Sequence, residues 1–178
     1  VVSDQTAPEC GTPISNTVYE IVYDDGTNED VMPVGSGNFL AAKFTPSGYP
    51  SDLYSASIYV SSSQTGTVLV YVWDDDGADG NPGTPIVQGF PFNMTQGWNE
   101  INFVNQGLSI PIENGGVYVG YQQLAVNFNI GVDWNNASYA SNSMLDFGIG
   151  LGWEALSNYS PGGVWMIRAQ MDGENALE

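Results

Sequence analysis

The sequence contains no histidine, and only two of its 178 residues, Lys43 and Arg168, are basic. Without histidine, Ser-His-Asp and Cys-His catalysis and histidine-ligated zinc sites are excluded. Two cations cannot neutralise a row of phosphates, so we expect neither nucleic acid nor an anionic membrane surface as a partner. These absences leave few of the common enzymatic and nucleic-acid-binding functions open.

Cysteine and long apolar segments are equally scarce. The single cysteine, Cys10, excludes an internal disulfide and predicts either a surface thiol or a pairing partner for another part of a longer protein. No run of 18 or more apolar residues is present, so we expect no membrane insertion. The polar residues 1–16 indicate a linker, and residues 173–178, which end in Leu177-Glu178, indicate a tail with a cloning scar. We therefore expect one domain over 17–172, with other domains of a larger parent protein as its partners.

Acidic residues dominate the charge that is present. Twenty aspartates and glutamates give a formal net charge of −18, whereas 42% of the residues are hydrophobic. Such a hydrophobic content is too high for a disordered acidic tail. Low lysine together with abundant Asn, Ser, Thr, Gly and Asp is typical of exported proteins, and we expect a secreted or cell-surface location.

Short apolar runs bounded by Gly, Pro, Asn and Asp divide the chain, and helical periodicity is absent. The predicted strands are 17–24, 38–45, 52–62, 66–74, 86–93, 98–104, 107–112, 116–125, 127–134, 144–148, 152–156 and 163–171. This spacing predicts an all-β, two-sheet antiparallel β-sandwich, and the strand number favours a jelly roll over an immunoglobulin domain. Residues 67–73 are apolar on both faces, which predicts a central strand covered on both sides.

Two acidic loops provide candidate metal ligands. The segment 74–81 contains Asp74, Asp75, Asp76, Asp79 and Asn81, and the segment 24–30 contains Asp24, Asp25 and Asp30. Oxygen ligands on glycine-containing loops suit Ca²⁺, although the spacing is not that of an EF-hand. Alternatively, both loops are solvated acidic turns. Asp133 and Asn135 are weaker candidates, and the two loops could share one ion.

Aromatic residues concentrate in the turn-rich stretch 133–163. Trp134, Tyr139, Trp153 and Tyr159 could form a platform that stacks against the sugar rings of a glycan. The alternative is that these rings close the ends of the sandwich core. Three further tryptophans, Trp73, Trp98 and Trp165, lie within predicted strands and are expected in the core.

Catalysis receives little support from the sequence. A glycoside hydrolase needs two carboxylates across a cleft, one of them with a raised pKa. Asp133, Asp146 and Glu154 are isolated and could supply such a pair, but neither acidic loop is flanked by apolar residues. We expect no enzymatic activity, with a hydrolase-like function as a remote alternative.

Several phrases together resemble a β-sandwich module of exported bacterial proteins. They are YDDG (23–26), FLAAKFTP (39–46), VYVWDDDG (70–77), NPGTP (81–85), GWNEINF (97–103), VYVGYQ (117–122), IGVDWNN (130–136) and WMIRAQM (165–171). The resemblance is to jelly-roll-like accessory modules of secreted, Bacteroidetes-type multidomain proteins such as peptidases. It implies a non-catalytic domain that binds calcium, with Asp74, Asp75, Asp76 and Asp79 matching the acidic turn of such modules.

Composition, loops and resemblance lead to one functional hypothesis and its alternative. We expect a calcium-binding accessory module that binds a polysaccharide or a protein surface through exposed aromatic residues. The alternative is a structural spacer or adhesin-type module stabilised by calcium. An exposed aromatic platform between 133 and 160 would favour the first, and aromatics that are all buried would favour the second.

Overall fold

A computed structural model describes residues 17–124, 129–148 and 152–173 of the protein. The predicted linker 1–16 with Cys10, and the tail residues 174–178, lie outside the described residues. No helix within the described part is long and apolar enough to cross a membrane.

Fourteen short strands make up most of the described chain. They are β1 (Thr17–Ile21), β2 (Asp30–Pro33), β3 (Phe39–Phe44), β4 (Ser51–Val60), β5 (Gly66–Asp74), β6 (Pro85–Met94), β7 (Gly97–Asn102), β8 (Pro111–Ile112), β9 (Val117–Gln123), β10 (Asn129–Asp133), β11 (Ser143–Asp146), β12 (Glu154–Ala155), β13 (Val164–Trp165) and β14 (Ile167–Gly173). Short 3₁₀ helices occupy four of the connections: Ala78–Gly80, Val104–Gln106, Ala137–Asn142 and Leu156–Asn158.

The strands form two antiparallel sheets. The first has the order β1-β14-β4-β10-β13, with β2 paired to β10, and β7 and β8 paired to β4. The second has the order β12-β11-β3-β9-β5-β6. The chain passes repeatedly from one sheet to the other, and the predicted antiparallel β-sandwich is confirmed.

Alternation of side chains along each strand creates the core between the sheets. In β4, Leu53, Ile58 and Val60 point inward and are buried, whereas Ser57 and Tyr59 occupy the opposite face. The inward residues of β5 and β9 meet them from the second sheet, and Tyr121 is among the largest fully buried side chains. Removal of this apolar surface from water provides the main stabilisation of the sandwich.

A second, smaller apolar cluster lies on the outer face of the second sheet. Tyr71 and Trp73 of β5 stack on each other with ring centroids 5.1 Å apart, and Phe39 meets both rings edge-on. Trp153 closes the cluster from the loop side, at 5.1 Å from Trp73. The prediction that strand 67–73 is covered on both sides is therefore confirmed at Tyr71 and Trp73, whereas Thr67 at its other end is exposed.

The three strand tryptophans do not share one environment. Trp73 and Trp165 are buried, as expected, and the indole N–H of Trp165 donates to the carbonyl oxygen of Met144 (2.9 Å). Trp98 is 39% exposed, so the expectation of a core position was wrong for this residue. Its neighbours in β7, Asn99 and Ile101, take the inward positions, and the alternation turns Trp98 outward.

Candidate functional site

Three carboxylates converge at one end of the first sheet. One oxygen each from Asp25, Glu29 and Asp133 lie within 4.8 Å of one another, and no other such trio of potential ligands exists among the residues that the structure describes. Asp25 and Glu29 are exposed, whereas Asp133 is fully buried. We call this group the carboxylate cluster.

Strand pairing brings these distant residues together. Asp133 is the last residue of β10, and β10 pairs with β2, which directly follows the loop that carries Asp25 and Glu29. The backbone N–H of Asp25 donates to Asp133 Oδ2 (2.6 Å), and that of Glu29 donates to the carbonyl oxygen of Val132 (3.2 Å). The β1–β2 loop is therefore fastened to the end of β10 by its backbone.

Hydrogen bonds within the loop fix the orientation of the two exposed carboxylates. The hydroxyl of Thr27 (2.7 Å) and its backbone N–H (2.8 Å) donate to Asp25 Oδ1, and the hydroxyl also contacts Glu29 Oε1. These bonds from Thr27 lower the pKa of Asp25, so its charged form is favoured. Glu29 Oε2 accepts from the backbone N–H of Trp134 (3.2 Å).

The buried carboxylate receives donors from the β10–β11 connection. Asp133 Oδ1 accepts from the backbone N–H of Asn135 (2.6 Å), and Oδ2 accepts from the side-chain amide of Asn136 (2.9 Å). The side-chain amide of Asn135 also lies 3.4 Å from Asp25 Oδ2. Asn135, a weaker candidate from the sequence, thus orients the cluster through hydrogen-bond donors.

Neither basic residue of the chain neutralises the carboxylate cluster. Lys43 pairs with Asp75 at 2.9 Å, and Arg168 pairs with Asp24 at 2.5 Å. Three carboxylates without a protein cation repel one another, and a bound cation would remove that repulsion. Carboxylate oxygens are the ligands that hard divalent cations such as Ca²⁺ prefer.

Asp24 and Asp30, which were also predicted as metal ligands, have other surroundings. The carboxylate of Asp24 is buried and accepts two hydrogen bonds from Arg168, from Nε (3.1 Å) and from Nη2 (2.5 Å). Asp30 begins β2 opposite Val132 and is not a member of the cluster. Of the three aspartates named in this loop, Asp25 is the one that the structure brings to Asp133.

In the second acidic loop, Asp75 lies in a polar contact with β3 and β9. It pairs with Lys43, and its Oδ2 accepts from the backbone N–H of Gly116 (3.0 Å). Tyr118 donates its hydroxyl to the carbonyl oxygen of Gly80 (2.8 Å) in the same region. Burial, with a smaller contribution from the Asp75 charge, raises the pKa of Tyr118 to about 12.

The remaining residues of this loop are held separately. Asp76 accepts from the backbone N–H (2.6 Å) and the hydroxyl (2.7 Å) of Thr84, whereas Asp79 is exposed. The backbone N–H of Asp74 donates to the carbonyl oxygen of Thr84 (2.8 Å). The backbone N–H of Asn81 donates to the carbonyl oxygen of Ala78 (3.2 Å). The predicted metal site in 74–81 stays a prediction, since these contacts distribute its carboxylates among protein partners.

The contact between Asp76 and Thr84 has a consequence for stability in acid. Hydrogen bonds from Thr84 lower the pKa of Asp76 below its ordinary value of about 4, so the contribution of Asp76 to stability is present above that value and is lost as the pH falls through the lowered pKa. We expect wild-type protein to lose more stability than Asp76→Asn as the pH is lowered below about 4. Urea unfolding at several pH values measures this difference, with Asp79→Asn as the control. Parallel pH profiles for wild type and Asp76→Asn would contradict the assignment.

One of the four predicted platform aromatics, Trp134, borders the carboxylate cluster, and a second, Tyr139, lies further along the same connection. Trp134 follows Asp133 directly and is 50% exposed. Tyr139 is also exposed, and its ring packs against that of Tyr23, at 4.9 Å between centroids, immediately before Asp24. The cluster therefore has one exposed indole directly after its buried carboxylate, and the exposed phenol of Tyr139 packs against Tyr23.

The other two platform candidates lie elsewhere. Trp153 is half-buried in the outer cluster with Trp73, which favours a packing role. Tyr159 is exposed, but its hydroxyl donates to Glu154 Oε2 (2.8 Å) and its ring meets Phe147 edge-on. The four aromatics do not form one platform around the carboxylate cluster.

The isolated acids considered for catalysis have different partners. Asp146 accepts from the backbone N–H of Gly148 (2.7 Å), Glu154 accepts from Tyr159, and Asp133 belongs to the carboxylate cluster. The absence of catalysis stays a prediction.

The sequence analysis did not select Glu29 and ranked Asp133 low. Glu29 follows Asp25 by four positions, and Asp133 lies more than one hundred residues further along the chain. A local signal did exist, because Asp133 ends an apolar strand and precedes two asparagines. Such residues at a strand end are frequent in turns, so they do not identify a partner.

Comparison with known proteins gives a similarity of fold. No protein-family model matches the chain, and no curated protein matches it. The structure of the clostridial cysteine protease Cwp84 after propeptide cleavage matches 88% of this chain with a TM-score of 0.60 and 13% sequence identity. A structure of the cysteine protease and lectin-like domains of Cwp84, a surface layer associated protein of Clostridium difficile, matches 79% with a TM-score of 0.49 and 15% identity. This chain covers 40% and 33% of those two chains.

Proposed function

We propose that this chain is a non-catalytic, calcium-binding accessory module of a secreted or cell-surface protein, and that it binds a glycan or another surface ligand beside the metal. The observation that carries the proposal is the carboxylate cluster of Asp25, Glu29 and Asp133, which lies directly beside the exposed Trp134.

Charge and coordination chemistry support calcium at the cluster. Asp25 and Glu29 can each offer an outward oxygen, and the buried Asp133 is already held by donors from Asp25 and Asn135. Ca²⁺ takes six to eight oxygens, so backbone carbonyls, water or ligand hydroxyls would complete its shell. A net charge of −18 also makes the compact state self-repelling, and cation binding relieves that repulsion.

The connection to Trp134 links metal binding to ligand binding. The backbone N–H of Trp134 donates to Glu29 Oε2, so an ion that fixes Glu29 also fixes the start of the β10–β11 connection. Tyr139 lies on the same connection, in the 3₁₀ helix Ala137–Asn142. Calcium is therefore expected to order both exposed rings for contact with a ligand.

The comparison with Cwp84 supports the modular and surface parts of the proposal. That protein is a surface-layer-associated protease, and the fold of the present chain corresponds to less than half of it. A domain of this kind within a larger exported protein agrees with the predicted parent protein and with the acidic composition.

Calorimetric titration of the EDTA-treated and dialysed protein with calcium chloride tests the proposal. We expect one ion to bind per carboxylate cluster, and Asp25→Asn to weaken the affinity at least tenfold because it removes one of three charged ligands. Asp79→Asn, which removes an exposed charge from the other acidic loop, serves as the matched control and should bind as the wild type does. Absence of binding heat in the wild type, or loss of binding in Asp79→Asn alone, would refute the assignment.

A further inference from the structure

A second aromatic surface lies on the outer face of the first sheet and is formed by residues other than those predicted to bind ligand. Trp98 of β7 is directly opposite Tyr59 of β4, and their rings meet edge-on at 5.3 Å. Trp98 is 39% exposed although it lies within a strand.

Arg168 holds this indole in place. Its guanidinium carbon lies 4.3 Å from the centroid of the Trp98 ring, in a cation–π contact. Arg168 of β14 and Trp98 of β7 lie on opposite sides of β4. The residue of β4 that pairs with Arg168 is the small Ser57, which pairs with Glu100 of β7 on its other side. Ser57 thus leaves room above β4 for the arginine side chain.

The other end of the contact is fixed by Asp24. The guanidinium donates to both carboxylate oxygens of Asp24, whose side chain is buried. The arginine is therefore clamped between a carboxylate and an aromatic ring and cannot swing freely. The exposed part of the indole is preorganised, which reduces the entropy lost when a ligand binds to it.

The charges around Trp98 select the kind of ligand. The charge of Arg168 is balanced by Asp24. The exposed Glu100 lies across β4 from Arg168, since both residues pair with Ser57. With a net charge of −18 on the chain, this face repels phosphates, uronates and other anions. A neutral ligand with both an apolar face and hydroxyl groups fits these conditions.

Polar side chains extend the surface along the sheet. Ser57 and Glu100 form one row with Arg168, and Asn102 and Gln170 lie in the next row on either side of Ser55. Adjacent strands place such groups about 4.8 Å apart. The face therefore offers donors and acceptors in a regular array beside one aromatic ring.

We propose that Trp98 and Tyr59, together with Arg168 and Glu100, form a binding subsite for a neutral glycan. The apolar face of a pyranose ring stacks on Trp98, and its hydroxyl groups bond to Glu100 and to the outward side of Arg168. This subsite goes beyond the function proposed above because it uses other residues than the carboxylate cluster and Trp134, and it needs no metal ion.

Affinity gel electrophoresis in EDTA tests the subsite, since a strongly acidic protein migrates readily in native gels. The probes are galactomannan, xyloglucan, mixed-linkage β-glucan and arabinoxylan, with polygalacturonate as the anionic counterpart. We expect at least one neutral polysaccharide to retard the wild type, Trp98→Ala to lose the retardation, corresponding to at least a tenfold weaker affinity, and Trp98→Phe to keep most of it. Val104→Ala, which removes exposed apolar surface outside both proposed sites, should migrate as the wild type does.

Each other outcome overturns the subsite. Failure of all four neutral polysaccharides to retard the wild type contradicts it, as does retardation by polygalacturonate alone. Retardation that survives Trp98→Ala but requires calcium and Trp134 would assign glycan binding to the carboxylate cluster. Retention only by a lysine-rich peptide resin, abolished by Trp98→Ala, would assign the face to a basic protein partner.

A measurement on the wild type covers the case in which Trp98→Ala does not fold. The indole N–H signals of the five tryptophans can be observed by NMR, and Trp98→Phe identifies the signal of Trp98 by its disappearance. The retarding polysaccharide should shift this signal in EDTA. An unshifted Trp98 signal would overturn the proposal, and because calcium is absent, that result is independent of the metal site.

Discussion

Replacing Arg168 by alanine is expected to lower the free energy of unfolding by about 3 kcal/mol. The carboxylate of Asp24 is buried, and Arg168 supplies two charged hydrogen bonds that compensate for its burial, beside one from the backbone N–H of Gly26 (3.0 Å). Loss of the partner leaves an uncompensated buried charge, and the cation–π contact with Trp98 is lost as well. Because the guanidinium is partly exposed, the expected effect is at the lower end of the range for buried pairs.

Urea unfolding measures this effect, and the only other basic residue provides the control. Lys43 and Asp75 are both partly exposed, so Lys43→Ala should cost about 1 kcal/mol or less. In a double-mutant cycle, Arg168→Ala should cost much less when Asp24→Asn is already present. Equal costs for the two single substitutions, or an additive cycle, would show that the Asp24–Arg168 pair is not a principal stabilising contact.

Glu29→Gln is expected to change the stability in opposite directions with and without calcium. In EDTA, the substitution removes one of three mutually repelling charges, its amide oxygen can still accept from the Trp134 N–H, and its amide N–H can donate to the Thr27 hydroxyl oxygen, so the melting temperature should rise slightly. In calcium, the same substitution removes a charged ligand, and the variant should gain less than half of the stabilisation that the wild type gains.

Thermal unfolding of both proteins in both conditions measures the two effects. Asp79→Asn is the matched control, since it removes an exposed charge outside the carboxylate cluster and should respond to calcium as the wild type does. A cluster that holds no ion predicts the same shift for Glu29→Gln in both conditions. Such a result would reduce the cluster to an acidic turn.

Period-two patterns and turn residues allowed most of the fold to be predicted. Each of the predicted strand segments contains an observed strand, because one buried face leaves a clear alternation in the sequence. β2 was missed because Asp30 begins it and was assigned to the acidic loop. The segment 163–171 contains both β13 and β14, because Met166 leaves the ladder between them and donates to Gly131 of β10.

The burial of individual aromatic residues was harder to predict. Trp73 and Trp98 both lie in strands that alternate imperfectly, yet Trp73 is covered by Trp153 and Trp98 is exposed. The difference arises from what lies above each sheet face. Trp153 covers part of the outer face of the second sheet, whereas Arg168 and Tyr59 cover only part of Trp98, and no local pattern encodes either arrangement.

The carboxylate cluster depends on pairing between distant strands. Local density of acids drew attention to residues 74–81, but Lys43 and Thr84 bind two of those carboxylates. Asp25 and Asp133 converge only because β2 pairs with β10. The sequence could indicate that acidic loops exist, but the register of a long-range pair decides which of their carboxylates meet.

Thermal unfolding of the wild-type protein in EDTA and then in millimolar calcium tests the proposed metal centre most directly. Ligand at one hundred times its dissociation constant stabilises the native state by about 2.7 kcal/mol, which corresponds to a rise of about 5–10 °C in the melting temperature of a chain of this size. The carboxylate cluster predicts a rise of this order, reversed by EDTA. An unchanged melting temperature would show that Asp25, Glu29 and Asp133 are ordinary turn residues and would contradict the proposed function.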